Sequence, residues 1–162
     1  MKSARNRFLT MMATATLVAI LFLPRLAMAS AIAVVAHPDV PIDEISFTEL
    51  KKVLRGDREF WSSGNPVTLI VRAPVAAERT LLLKTVYEMS ENQFRQYWIS
   101  KVFRAEAASE PRIVLSSDET AELLTVITGA VGLMRADEVP QGLKILRVDG
   151  KNPGDPGYPL AE

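Results

Sequence analysis

The feature that most constrains the fold is an alternation of short apolar runs with helix-start signals after residue 30. Apolar runs of five or six residues predict buried strands at residues 32–36, 67–71, 111–115, 130–134 and 143–148. Serine capping boxes stand between them, at residues 46–49, 90–93 and 116–119. Strands that alternate with helices predict an α/β fold, with a mixed, mostly parallel sheet flanked by helices on both faces.

The helical segments have stop signals as well as start signals. Gly56 ends the apolar spacing that follows Ser46, and Gly129 ends the one that follows Ser116. Apolar residues keep a helical spacing over residues 77–89 and again after Ser90, which predicts a tight helical hairpin. Residues 149–160 are dense in glycine and proline and predict an irregular strap over the surface.

The first 29 residues have the pattern of a cleavable secretory signal peptide. A basic start with Lys2, Arg5 and Arg7 precedes an apolar stretch at residues 8–23, and Ala27-Met28-Ala29 forms a small-x-small cleavage site. The alternative is a retained membrane anchor, but the apolar stretch is shorter than the roughly 20 residues that a membrane span prefers. We therefore expect cleavage after Ala29 and a periplasmic location.

Composition narrows the class of the remaining chain, residues 30–162. The sequence has no cysteine, so we expect no disulfide, no thiolate metal site and no lipoprotein anchor. Removal of the signal peptide leaves 15 basic and 19 acidic side chains, a net charge of −4. This mildly acidic balance argues against a nucleic-acid partner. The 133 residues suit a single domain with one core.

The candidate site lies where the second apolar run meets a helix. The run at residues 67–71 leads into Arg72, and a helix is expected to begin near Ala77. Free backbone N–H groups and the helix dipole at such a junction favour an oxyanion, and the planar guanidinium of Arg72 can bind one through two hydrogen bonds. The tentative anion-binding residues are Arg72, Ala76, Ala77 and Arg79. Alternatively, Arg72 forms an ion pair with Glu78 or with a neighbouring carboxylate.

Other residue types give little support for metal binding or catalysis. His37 is the only histidine, and its place before Pro38 favours a structural role. The serines have no general base beyond this single histidine and no glycine-flanked nucleophile turn, so no catalytic residue, metal site or cofactor is expected. Five aromatic side chains have the spacing of core residues rather than of a ligand box: Trp61, Phe94, Tyr97, Trp98 and Phe103.

Four motifs of this chain are also found, in the same order, in one protein family. They are residues 32–38 (Ile-Ala-Val-Val-Ala-His-Pro), Leu50-x-x-Val-Leu-x-Gly56 followed by Trp61, the Arg72 turn into a helix, and residues 129–134 (Gly-Ala-Val-Gly-Leu-Met). On these motifs the chain resembles the periplasmic phosphate-binding proteins of ABC importers. The resemblance implies one small lobe of a type II periplasmic binding protein, a non-enzymatic class.

The resemblance also implies a function for the Arg72 turn. In the family this turn continues from its arginine to a Ser-Gly-Thr triplet that holds the oxyanion. This chain keeps Arg72 but has Pro74, Ala76, Ala77 and Glu78 at the remaining places of the family pattern, which implies a degenerate oxyanion site. The implied partners are a small oxyanion such as phosphate and an ABC importer membrane subunit or another periplasmic protein. The alternative is a non-transport module for protein interaction or sensing.

Overall fold

The structure, a computed structural model, describes residues 31–161. The predicted signal peptide at residues 1–29 lies outside this range. Within residues 31–161, every helix is too short or too polar to cross a bilayer.

The centre of the described fold is a six-stranded mixed sheet. In chain order its strands are β1 (Ile32–Ala36), β2 (Glu44–Ile45), β3 (Thr68–Arg72), β4 (Arg112–Val114), β5 (Ala130–Arg135) and β6 (Lys144–Val148), arranged in space as β2-β6-β1-β5-β3-β4. β1 runs antiparallel to both of its neighbours, whereas the other three pairings are parallel. The predicted mostly parallel α/β sheet is therefore confirmed. All five predicted strands form, and two-residue β2 was not predicted.

Within the described range, four α-helices connect the strands. They are α1 (Phe47–Leu54), α2 (Ala77–Leu82), α3 (Glu91–Phe103) and α4 (Ser117–Val126). Side chains of Ser46, Ser90 and Ser116 cap three of them, each accepting a hydrogen bond from a backbone N–H three residues later. A short 3₁₀ helix, Ala136–Glu138, follows β5.

Only one of the three predicted capping boxes is reciprocal. Gln93 accepts a hydrogen bond from the backbone N–H of Ser90 at 2.9 Å. Glu49 instead pairs with Lys52, and Glu119 accepts from the backbone N–H of Leu115. The prediction of full boxes at residues 46–49 and 116–119 was therefore wrong, because each glutamate has another donor close by.

The helix predicted over residues 77–89 changes its winding partway. α2 ends at Leu82, a π-helical segment continues over Leu83–Tyr87, and Glu88 closes it in the left-handed conformation. Tyr87 at the end of this segment donates its hydroxyl to the carbonyl of Leu54 at the end of α1. This hydrogen bond connects the end of the π-helical segment to the end of α1.

Apolar side chains fill both faces of the sheet. β1 is buried throughout, and its alternate residues belong to different clusters: Val34 to the face covered by α1, α2 and α3, and Val35 to the face covered by α4. Tyr158 and Leu160 of the C-terminal strap are buried in the first cluster. Helices on both faces and the strap follow the sequence-based expectation.

One predicted core aromatic faces solvent. Phe94 and Trp98 are buried on the inner side of α3, but the side chain of Phe103 is 90% exposed. Phe103 lies five residues beyond Trp98, so the helical turn rotates it away from the inner stripe. The prediction that Phe103 belongs to the core was therefore wrong.

Candidate functional site

The candidate site lies at the carboxyl ends of the parallel strands. β3, β4 and β5 run in the same direction and end at Arg72, Val114 and Arg135. The backbone N–H of Ala73 donates to the carbonyl of Val114 at 2.8 Å, which fixes the start of the candidate turn against the end of β4. The ligand crevice of an open α/β sheet is generally at this end.

Arg72 and Glu78 face each other inside this turn. The Nε atom of Arg72 lies 3.8 Å from Oε2 of Glu78, and their side chains are only 15% and 5% exposed. Nε and Nη1 of Arg72 are buried and have no hydrogen-bond partner among the described residues. The contact is therefore a buried ion pair without a hydrogen bond, in which each charge offsets the other's loss of hydration.

The backbone between Arg72 and Glu78 is unusual for its side chains. Val75 has φ 72° and its side chain is 99% exposed. A β-branched side chain in the left-handed region is an outlier that surrounding structure must maintain. The strain therefore lies at the tip of the candidate turn.

Ala76 and Ala77 offer only backbone groups to a ligand. Ala76 is the N-cap residue of α2 and makes no side-chain capping bond, unlike the serines that cap the other helices. Its N–H donates to the carbonyl of Ala73 at 3.4 Å, and its carbonyl accepts from the hydroxyl of Thr80 at 3.1 Å. The turn thus has no hydroxyl donor of the kind that a serine at residue 76 would supply.

Arg79 has a different partner from Arg72. Its Nε and Nη2 atoms donate to the two carboxylate oxygens of Glu91 at 3.0 and 2.8 Å, and its guanidinium carbon lies 3.9 Å from the ring centroid of Phe94. The hydrogen bond from Arg79 lowers the pKa of Glu91. Sequence reasoning missed this partner. The only sequence signal for it was the position of Glu91, an acidic residue in the first turn of α3.

The four residues predicted to bind an anion therefore fall into two groups. Arg72, Ala76 and Ala77 line one turn at the end of β3, and Arg79 connects α2 to α3. Their role as anion ligands stays a prediction. A second feature missed from sequence is the exposure of Leu115, 79% exposed beside the same turn.

The remaining sequence candidates have structural contacts. Nδ1 of His37 accepts from the backbone N–H of Asp39 at 3.1 Å, in the turn after β1. Nε1 of Trp61 donates to the carbonyl of Gly129 at 2.9 Å within the core. Among residues 31–161 no group of three or more histidine, aspartate or glutamate side chains has the arrangement of a metal site.

Comparison with known proteins finds similar folds but no similar sequence. No family model and no curated protein matches the chain. Solved structures do match: a Clostridium perfringens protein assigned as a phosphate ABC transporter substrate-binding protein, with bound phosphate, superposes with a TM-score of 0.58 at 17% identity. An ABC-type phosphate transport receptor from Vibrio cholerae gives 0.60 at 14%, and PstS from Borrelia burgdorferi gives 0.59 at 17%.

These matches cover 76% of this chain but only 46 to 49% of the matched chains, so the chain spans about half their length. Identity at this level carries information on fold alone. The mixed sheet with its flanking helices matches one lobe of the matched proteins. The chain therefore has the fold of a single lobe of phosphate ABC transporter substrate-binding proteins.

Proposed function

We propose that this protein is a periplasmic solute-binding-like domain of the phosphate-importer type in which the oxyanion site is degenerate. The observation that carries the proposal is the ion pair between Arg72 and Glu78. Arg72 is at the end of β3, where the resemblance puts the anion-binding arginine. The carboxylate of Glu78 takes the position next to it that a bound oxyanion would need.

The negative charge of Glu78 supports a degenerate oxyanion site. The Glu78 side chain is 5% exposed and lies 3.8 Å from Nε of Arg72, so little water screens its charge. A phosphate dianion entering the turn would meet this negative charge at close range and would compete for the same guanidinium. The natural ligand class remains a small oxyanion such as phosphate, but with weak affinity in the wild-type protein.

Thermal unfolding with and without millimolar phosphate tests the proposal. We expect no shift in melting temperature for the wild type and a clear upward shift for Glu78→Gln, in which the carboxylate charge is removed. The shift should disappear in the double variant Arg72→Ala/Glu78→Gln and persist in Arg104→Ala/Glu78→Gln, where the lost arginine is an exposed one. Saturation at about 100 times the dissociation constant adds about 2.7 kcal/mol of stability.

The outcomes separate the possibilities. A phosphate shift in the wild type as large as in Glu78→Gln would show an intact site, contrary to the degeneracy. No shift in any variant would remove oxyanion binding from the function.

A second candidate is a non-transport interaction module that docks a periplasmic protein or an importer membrane subunit. Exposed apolar side chains at the same end of the sheet, Val75 at 99% and Leu115 at 79%, favour it. Affinity capture with the purified protein would test it. An interaction module should retain an identified partner in Arg72→Ala and lose it in Val75→Asp, whereas capture that is insensitive to Val75 would exclude docking through this turn.

A further inference from the structure

A cavity of about 290 Å³ lies between α3 and the edge strand β4, and Pro74 of the Arg72 turn lines one side of it. Arg79 of α2 lines it together with Phe94, Arg95 and Trp98 of α3 and with Glu110, two residues before β4. This volume is near the lower end of the range of small-molecule sites, so it suits a metabolite of a few heavy atoms rather than a nucleotide or a folded partner.

The Arg79 side chain in this wall is held firmly and retains an unused donor. It is 5% exposed, it is fixed by Glu91 through two hydrogen bonds, and its guanidinium lies over the ring of Phe94. Its Nη1 atom has no hydrogen-bond partner within residues 31–161. A buried charged donor without an acceptor is unfavourable, so the cavity wall offers a position where an acceptor from a ligand is stabilising.

The charges around the cavity cancel. Arg79 and Arg95 supply two positive charges, and Glu91 and Glu110 supply two negative ones. Glu91 is engaged by Arg79, but neither Arg95 nor Glu110 has a salt bridge or hydrogen bond within the described part of the chain. A dianion would meet two carboxylates here. A ligand with one negative and one positive end matches both the available cation and the available carboxylate.

The rest of the lining is apolar. Phe94 and Trp98 are 4% and 3% exposed, and Nε1 of Trp98 is already directed inward to the hydroxyl of Tyr87 at 3.2 Å. The ring of Trp98 is therefore an apolar surface toward the cavity and offers no donor. An aliphatic or aromatic group of the ligand would be covered by these two rings.

We propose that this cavity binds a free α-amino acid with an apolar side chain. The carboxylate of the amino acid accepts from Nη1 of Arg79 and from Arg95, its ammonium group pairs with Glu110, and its side chain packs against Phe94 and Trp98. Pro74 of the oxyanion turn lines this cavity, but the charged groups of the two sites differ, and the amino acid has no net charge.

Isothermal titration with L-leucine tests the proposal, with two analogues as matched probes. Isocaproate lacks the ammonium group and isoamylamine lacks the carboxylate. We expect L-leucine to bind, and each analogue to bind at least about tenfold more weakly, since one charged contact is lost in each. Quenching or enhancement of Trp98 fluorescence provides a second readout.

Variants at exposed side chains keep the fold intact. Arg95→Gln and Glu110→Gln should each lower the affinity for L-leucine about tenfold, while the control Arg104→Gln leaves it unchanged. Arg72→Ala should also leave it unchanged, which distinguishes this site from the oxyanion turn. Absence of L-leucine binding would overturn the proposal, as would binding that neither Arg95→Gln nor Glu110→Gln alters, or analogues that bind as tightly as L-leucine.

Discussion

Gly129 and Pro66 approach so closely that a Cβ atom on Gly129 would lie 2.3 Å from the carbonyl oxygen of Pro66. Gly129 also has φ 80°, which residues other than glycine rarely adopt. The residue lies between α4 and β5 and accepts the hydrogen bond of Trp61 through its carbonyl. Because glycine has no Cβ atom, α4, β5 and the Trp61 ring can approach one another closely at this residue.

Gly129→Ala should lower the free energy of unfolding by about 3 kcal/mol or more, because a backbone clash adds to the left-handed strain. Gly64→Ala is the matched control. Gly64 has φ 86°, but a Cβ atom added there would meet no other atom within 4 Å, so it should lose only about 1 kcal/mol. Urea denaturation of both variants measures the difference. Equal losses would mean that the contact with Pro66 has no energetic role.

Val75→Asn should raise the free energy of unfolding by about 0.5–1 kcal/mol, because asparagine tolerates the left-handed conformation that Val75 adopts. The side chain of Val75 is 99% exposed, so its replacement loses no packing. Val126→Asn, at a 66% exposed helical residue, is the control and should change stability by only a few tenths of a kcal/mol. A loss of stability in Val75→Asn would show that the turn is not strained.

Ala76→Ser should stabilise α2 by about 1 kcal/mol. A serine hydroxyl at the N-cap can accept a hydrogen bond from a backbone N–H in the first turn of the helix, and alanine cannot. The backbone at Ala76, with φ −68° and ψ 144°, already has the extended form that a capping serine uses. Ala77→Ser lies one residue inside the helix and should give no gain. Thermal denaturation compares the two, and equal effects would argue against capping as the cause.

Glu91→Gln should reduce the pH dependence of stability on the acid side. Arg79 lowers the pKa of Glu91 below its ordinary value, so the folded state binds this proton less readily than the unfolded state. The stabilisation is present above the unfolded pKa and is lost as pH falls through the lower folded pKa. The wild type and Glu91→Gln should therefore differ most near neutral pH and converge in acid. A constant difference across this range would contradict the linkage.

Local signals explain which parts of the fold were predictable. Strand β1 and the caps at Ser46, Ser90 and Ser116 depend on neighbouring residues, so periodicity and capping chemistry identified them. The π-helical segment has no such local signal, and Tyr87 at its end bonds to Leu54, 33 residues away.

The candidate site was predictable in part for the same reason. The turn with Arg72 and the neighbouring Glu78 is local, and sequence reasoning named their ion pair as an alternative. The bond of Arg79 to Glu91 depends on how two helices pack, and the cavity beside Trp98 depends on α3 meeting β4. The acidic residue in the first turn of α3 is a local signal, but residue spacing does not identify Arg79 as its partner, and it does not indicate the cavity.

The position of β1 also affects the timing of folding. This strand lies between β5 and β6, and Val34 pairs with Leu133 and Leu146, roughly 100 residues further along the chain. During synthesis, the most buried strand therefore has no partner until β5 and β6 have emerged. The core cannot close before these two strands are made. The residues before β5 therefore have no finished domain to fold into during most of their synthesis.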